Sequence, residues 1–446
     1  RRPRVAGASY FRVGGPRSSL TAMATSTGSA PAAAPRRGFD RRAWREPCPS
    51  PAVIRVIGWL NRGLVLPHVV RLRRLDLPAA DLARLRAAVR PGTAAFLGPN
   101  HPEFFTDWMI DKEISTRVSP LMAHWASYEI VNLNPAAQWL WLRNNLIANV
   151  PGGGGREYSI RWALAGRGVL LHPEGTVSWH GGRVGPLMPG IVDMAWETCA
   201  RARAAGRDLP VLVVPLVWRL RFIGDVSRRL HREMAMMERA LALPSGDDLA
   251  LGPRIAALQA ELRRSRSAAL GLPEPPEPRG AGYFAAQEAT EAAIASRLQE
   301  LGARVEHDPA RIMHRARRAT RPETRLQGEL YREMWRLAGF PRDLYDVPTL
   351  TLEAIAENLK RQRTSLITAG WRNALHNLAP VPAGPRVAHV RVPEPIAVHE
   401  AFTSDDDAAA RAELLAELAR RLRGALDALG AELAPLLERS RRPNPL

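Results

Sequence analysis

Two short segments carry side chains suited to activating a hydroxyl. The first is Gly98-Pro99-Asn100-His101-Pro102-Glu103-Phe104-Phe105-Thr106-Asp107, where an apolar run delivers a histidine and a carboxylate follows six positions on. An imidazole near its ordinary pKa accepts a proton at neutral pH, and a carboxylate on its other nitrogen fixes the tautomer and stabilises the imidazolium. A histidine close to an aspartate is common, so this pair gains weight only from the second segment. There, Leu170-Leu171-His172-Pro173-Glu174-Gly175-Thr176-Val177-Ser178 reads as a buried strand ending in a polar turn. Such a turn exposes backbone N–H groups and presents Glu174.

The elements around these segments alternate. Ala94–Leu97, Leu121–Trp125, Leu146–Val150, Gly168–His172 and Val211–Val217 read as strands. Helical patterns begin at Asp107, Tyr158 and Ile191. Strands alternating with helices imply an α/β layer architecture. From about Asp225 helical patterns take over, ending with Leu352–Leu375 and divided by a Pro-rich linker at Leu272–Arg279. Strand character returns at Val387–Val392, and a helix over Ala408–Leu437 repeats Leu414, Leu418, Leu422, Leu426, Leu429 and Leu433 at core spacing. This order predicts a tail over 1–50, an α/β domain over 51–224 resuming at 381–446, and a helical insertion over 225–380.

The chain has 446 residues and a formal net charge of +19, which favours anionic partners. Lys112 and Lys360 are the only lysines, so the choice of arginine reflects composition, while the sign of the charge remains physical. Cys48 and Cys199 make no disulfide framework, and the histidines show no metal-ligand spacing. Residues 1–35 are rich in Arg, Ser, Ala, Gly and Pro without the apolar core of a secretory signal, and Met23 is a candidate start. Val53–Val70 is too interrupted by polar residues to span a membrane, and reads as an amphipathic segment that lies on a membrane or on the core. The glycines at 152–155 lack the Lys-Ser/Thr of a P-loop, so a connector is expected there. Trp139 and Trp141 are candidates for an acyl channel or a membrane interface. The charge alone motivates nucleic-acid binding, but no helix-turn-helix, zinc or RNA-binding signature accompanies it, so no nucleic-acid partner is expected.

Taken in order, Asn100-His101 with a downstream Asp, Pro173-Glu174-Gly175-Thr176, the helix start at Gly190, Val213-Val214-Pro215 and Val390-Arg391-Val392-Pro393-Glu394-Pro395-Ile396 resemble the lysophosphatidic acid acyltransferase-like family of glycerophospholipid acyltransferases. The resemblance covers about Val69–Val217 and Val387–Leu429. It implies a layered sheet flanked by helices, with the insertion before the last strand and helix. It implies His101 as general base, Asp107 as its orienting partner with Glu103 in reserve, and Asn100, Glu174, Gly175 and Thr176 at the acceptor. The donor would be acyl-CoA or acyl carrier protein, the acceptor a glycerophospholipid-like alcohol, and the location the cytoplasmic face of a membrane, peripherally bound. No metal or redox cofactor is implied. Five residues rather than the family's four separate His101 from Asp107, with Thr106 in the expected place. Val177 and Asn149 stand where the family carries arginines that meet the acceptor's phosphate. Arg143, Arg156 and Arg183 are the nearby substitutes in sequence, since guanidinium suits phosphate. These departures motivate the alternative of a non-catalytic lipid-binding protein on the same fold.

Overall fold

The computed structural model describes residues 39–244, 250–274, 282–319, 321–366, 383–403 and 407–444. Most of the expected tail, most of the Pro-rich linker and the end of the helix expected to reach Leu375 lie outside the described residues.

The main body is α/β. Eight strands form one mostly parallel sheet: β1 (Leu72–Asp76), β2 (Ala94–Pro99), β3 (Ala123–Ser127), β4 (Leu146–Asn149), β5 (Val169–Leu170), β6 (Val211–Phe222), β8 (Arg386–Arg391) and β9 (Ile396–Ala397). Their spatial order is β1-β8-β6-β2-β5-β3-β4, with β9 also on β6. Every pair is parallel except β6 with β8 and β6 with β9. Side chains alternate across the sheet as strand pleating requires. Ala94 and Phe96 face a core that holds Ile160, Ile191, Trp196, Leu418 and Leu422, while Ala95 and Leu97 face one that holds Leu66, Leu85, Ile110 and Ile114. Helices cover both faces, which is why β2 is apolar and buried along its whole length.

The helical segment after β6 builds cores of its own. Leu230, Met234, Ile255, Leu258, Phe340 and Leu359 share one cluster, and Ile294, Leu298, Ile312, Leu330 and Met334 another. The chain then re-enters the sheet: β8 lies between β1 and β6. A small second sheet pairs β7 (Thr349–Thr351), in the helical segment, with β10 (Arg441–Pro443), beyond the helix Ala408–Leu437.

Some boundaries differ from expectation. The strand expected at Leu121–Trp125 is displaced to Ala123–Ser127, and the helix expected from Asp107 begins at Phe104 behind an extended Glu103. β5 is ladder-paired only over Val169–Leu170, because the chain turns into Pro173 soon after.

Asn100 explains how the sheet releases His101. The backbone of β2 stays on the ladder through Asn100 N–H, which donates to the Leu216 carbonyl at 3.1 Å. The Asn100 side chain then replaces the next backbone rung: its amide donates to Trp218 O at 3.0 Å, and its carbonyl accepts from Trp218 N–H at 2.9 Å. The amide satisfies the strand, leaving the main chain free to turn outward with His101. Asn100 is fully buried, and its side chain serves the strand. Asn100→Ala strips partners from two buried backbone groups; chemical denaturation should show a loss of roughly 2–4 kcal/mol. A loss below about 0.5 kcal/mol would contradict this assignment.

Candidate active site

His101 sits just past the end of β2, and the helix Phe104–Val118 starts three residues later. The helix's first turn carries Asp107, whose carboxylate reaches back over the helix start. One oxygen accepts the Glu103 backbone N–H at 2.7 Å and lies 2.9 Å from His101 Nδ1; the other accepts the Trp218 indole N–H at 3.0 Å. The extra residue between His101 and Asp107 is absorbed by the extended segment before the helix. Thr106, at the position where the family pattern places its aspartate, instead accepts from Arg386 at 3.2 Å.

Burial opposes charge on both members of the pair. It pushes the Asp107 carboxyl well above its ordinary value, and the nearby charge of Glu103 adds to this. The Glu103 and Trp218 N–H donors work in the opposite direction. The Glu103 and Trp218 N–H groups point at Asp107, and a His101 Nδ1–H adds a third donor; each favours the ionised form against burial. A carboxylate there also faces the positive end of the helix dipole. For His101, burial and then the charge of neighbouring His172 push the imidazole well below 6.5, so it rests neutral. With Nδ1–H directed at Asp107, the lone pair lies on Nε2, and Nε2 has no protein hydrogen bond among the described residues. The side chain is 15% exposed, so this nitrogen is within reach of a substrate.

Glu103, the reserve carboxylate, has other work. Against the effect of burial, Arg386 at 2.7 Å and Lys360 at 3.8 Å hold it down to about 2. Arg386 also donates to Val70 O, so one buried guanidinium ties the base of the helix to the segment before β1.

Glu174 is almost fully buried, and both of its oxygens accept from backbone: His101 N–H at 2.7 Å and Gly185 N–H at 2.7 Å. It therefore clamps the His101 turn against the 185 loop. The His101 carbonyl is held as well, by Ser178 N–H at 2.9 Å. Gly175 takes a left-handed conformation, φ 65°, that a turn between Glu174 and Thr176 can use without a side-chain clash. Gly185 has no room for a methyl, since an added Cβ would lie 2.8 Å from a Glu174 oxygen.

The three substitute arginines do not gather here. Arg156 pairs with Glu197 at 2.6 Å, Arg183 with Asp343 at 3.0 Å, and Arg143 lies over the ring of Trp139. No contact joins them to His101 or Asp107 among the described residues. The cations that do surround the site are Arg386 and Lys360, far along the chain. Lys360 also lies over the Trp179 ring, 4.3 Å from its centroid, and its neighbour Arg361 donates to the Trp179 carbonyl. Glu357, which burial pushes up to about 8, accepts Gly181 N–H at 2.9 Å. The helix Leu352–Leu366 of the insertion thus forms a wall of the site. Sequence order gave no sign of this; the only clue to Arg386 was its place at the start of the returning strand.

Comparison with known proteins found no matching family model and no matching curated protein.

Glu174→Gln offers one carbonyl oxygen where two N–H groups need acceptors. Denaturation should show a loss of about 1–3 kcal/mol. Unchanged stability would show that the clamp is not needed.

Proposed function

We propose that this chain is an acyltransferase on a glycerolipid acyltransferase-like fold. It moves a fatty acyl group from acyl-CoA or acyl carrier protein to a hydroxyl of a glycerophospholipid-like acceptor. The observation that carries the reading is the 2.9 Å contact between His101 Nδ1 and a buried, donor-saturated Asp107, with Nε2 left for a substrate. His101 Nε2 takes the acceptor's hydroxyl proton as the oxygen attacks the thioester carbonyl, and Asp107 stabilises the imidazolium that forms. The carbon–sulfur bond then breaks and the proton passes to the leaving thiolate. The five-residue spacing, one of the two departures that motivate the non-catalytic alternative, still allows the His101–Asp107 contact; the absent arginines at 149 and 177 remain its other motive.

A lipid acceptor suits the outer surface beside the first helix, Pro51–Leu60, and its π-helical continuation, Asn61–Val69. Of Ile54, Ile57, Trp59, Leu60 and Leu64, which share one helical face, only Ile54 is deeply buried; Trp59 is 71% exposed, and Leu64 and the nearby Val56 are exposed with it. The neighbouring helix Pro135–Arg143 adds Trp139, which is 55% exposed, whereas Trp141 packs edge-on against Trp108. Trp rings flanked by arginines favour an anionic bilayer surface. The association we propose is peripheral, through these exposed side chains; no helix among the described residues is long and apolar enough to cross a membrane.

The test is acyl transfer by the purified chain from labelled acyl-CoA and acyl carrier protein, to lysophospholipids, phosphate-free lysolipids and simple alcohols. His101→Ala should lower turnover roughly 10²–10⁴-fold with the fold intact. Near-normal turnover, or no transfer by the folded chain to any acceptor, would count against the proposal. The pH profile has a definite sign. The base must be neutral, and burial lowers its pKa, so kcat/KM should hold as pH drops through 6.5 and fall only below it. An acid limb at or above 6.5 would contradict the environment assigned to His101.

A further inference from the structure

A second histidine–carboxylate pair lies against the first. The His172 ring stacks on that of His101, centroids 3.9 Å apart and planes 16° from parallel. The Trp218 indole meets His172 edge-on, with centroids 5.9 Å apart. His172 Nδ1 faces the Asn100 carbonyl oxygen at 3.0 Å, and Nε2 faces an Asp111 carboxylate oxygen at 3.0 Å. Asp111 lies one helical turn beyond Asp107, so one face of the helix supplies a carboxylate to each ring.

The donor count sets the charge of His172 once Asp111 is ionised; burial raises the Asp111 carboxyl, and the charge and hydrogen bond of His172 work the other way. A carbonyl oxygen only accepts, and so does an ionised carboxylate. Both ring nitrogens of His172 are satisfied together when both carry hydrogen, which makes the ring an imidazolium. Because both nitrogens are engaged inside the protein, His172 has none left to exchange a proton with substrate. The titratable groups around it are Asp111 from the helix, His101 from the end of β2, Glu174 from its own turn and His124 from β3. His101 is faced by Asp107 and His172; around Asp107 stand Glu103 and Asp111, with Lys360 and Arg386 on Glu103.

We propose that His172, charged by its contacts with Asp111 and Asn100, is a positioning residue for acyl transfer: it fixes the plane of the His101 ring and keeps the resting base neutral. This rests on the acyltransferase reading. In that reaction the hydroxyl proton moves to His101 Nε2 as the oxygen–carbon bond forms, and leaves for the thiolate sulfur as the carbon–sulfur bond breaks. A cation stacked beneath the ring opposes a lasting proton on His101, and so favours the second transfer. Burial pushes the His172 imidazole down, but Asp111 and the Asn100 carbonyl outweigh it and the net direction is upward, as a charged ring requires.

The test reads protons rather than turnover, so it stands apart from the acyl-transfer assay. The full chain, labelled with ¹⁵N-histidine, is titrated by long-range ¹H–¹⁵N spectroscopy, with His101→Ala and His172→Phe assigning the two rings. At neutral pH, His172 should show two protonated nitrogens while His101 shows one. In His172→Phe, which keeps a stacked ring without charge, the His101 midpoint should rise by about one pH unit. His172→Gln, which keeps an amide donor for the Asn100 carbonyl, should give the same shift if the phenylalanine variant does not fold. A neutral His172 at pH 7 in the wild-type protein would overturn the proposal, and so would an unmoved His101 midpoint in a folded variant. If neither variant folds, the wild-type protonation state decides alone. No acyl transfer by the wild-type chain, with the shift present in the variants, would remove the catalytic reading and leave the coupling of the two rings standing.

Discussion

Asp107 sits where its surroundings resist charge, and its role beside His101 calls for the ionised form. It is completely buried, and a nearby carboxylate, Glu103, raises the difficulty. The fold answers by converging donors: the N–H at the helix start, the Trp218 indole and the His101 imidazole. Each comes from a different element, and each fixes that element in turn. The Glu103 N–H sets where the helix begins. The indole requires β6 to continue past Val217, and Asn100 supports that continuation by supplying the rung that the departing backbone of β2 no longer provides. The His101 ring orientation follows from the carboxylate's position, so the geometry of the site is inherited from how Asp107 is held.

The surrounding contacts extend the same logic. Glu103 is made harmless to Asp107 by its own cations, Arg386 from the returning strand and Lys360 from the insertion. The insertion is therefore part of the site's electrostatics as well as a separately cored helical unit. Glu357 on the same helix binds the 181 turn, which lies a few residues beyond the Ser178 that holds His101. Removing the insertion would leave Glu103 with one cation fewer and the 181 turn without its acceptor.

What could be read from the sequence follows from the range of each interaction. The alternating strands and helices, the helical interruption and the returning strand are local patterns, and they are visible as such. His101 with Asp107 was also within reach, because one helix start separates them. Partners that only the tertiary fold selects were not. Asn100 and Glu174 belong to segments that drew attention, yet their side chains serve Trp218 and the backbone of His101 and Gly185, which only the folded chain brings near. The same limit misdirected the arginines. Arg143, Arg156 and Arg183 are close in sequence to the site segments but contact Trp139, Glu197 and Asp343, while Arg386 arrives from the far end of the chain. His172 and Asp111 left a partial signal: a carboxylate four residues after Asp107 belongs on the same helical face.

In the proposed acyl transfer, His101 and Asp107 act as one unit. A double-mutant cycle tests it most directly, by measuring kcat for His101→Ala, Asp107→Asn and the combined variant, each checked for folding. Residues acting as a unit are strongly non-additive. The account predicts that the double variant is about as slow as His101→Ala alone, because without the imidazole the carboxylate has no ring to orient or stabilise. Losses that simply multiply would show that Asp107 supports the reaction independently of His101, and would contradict it.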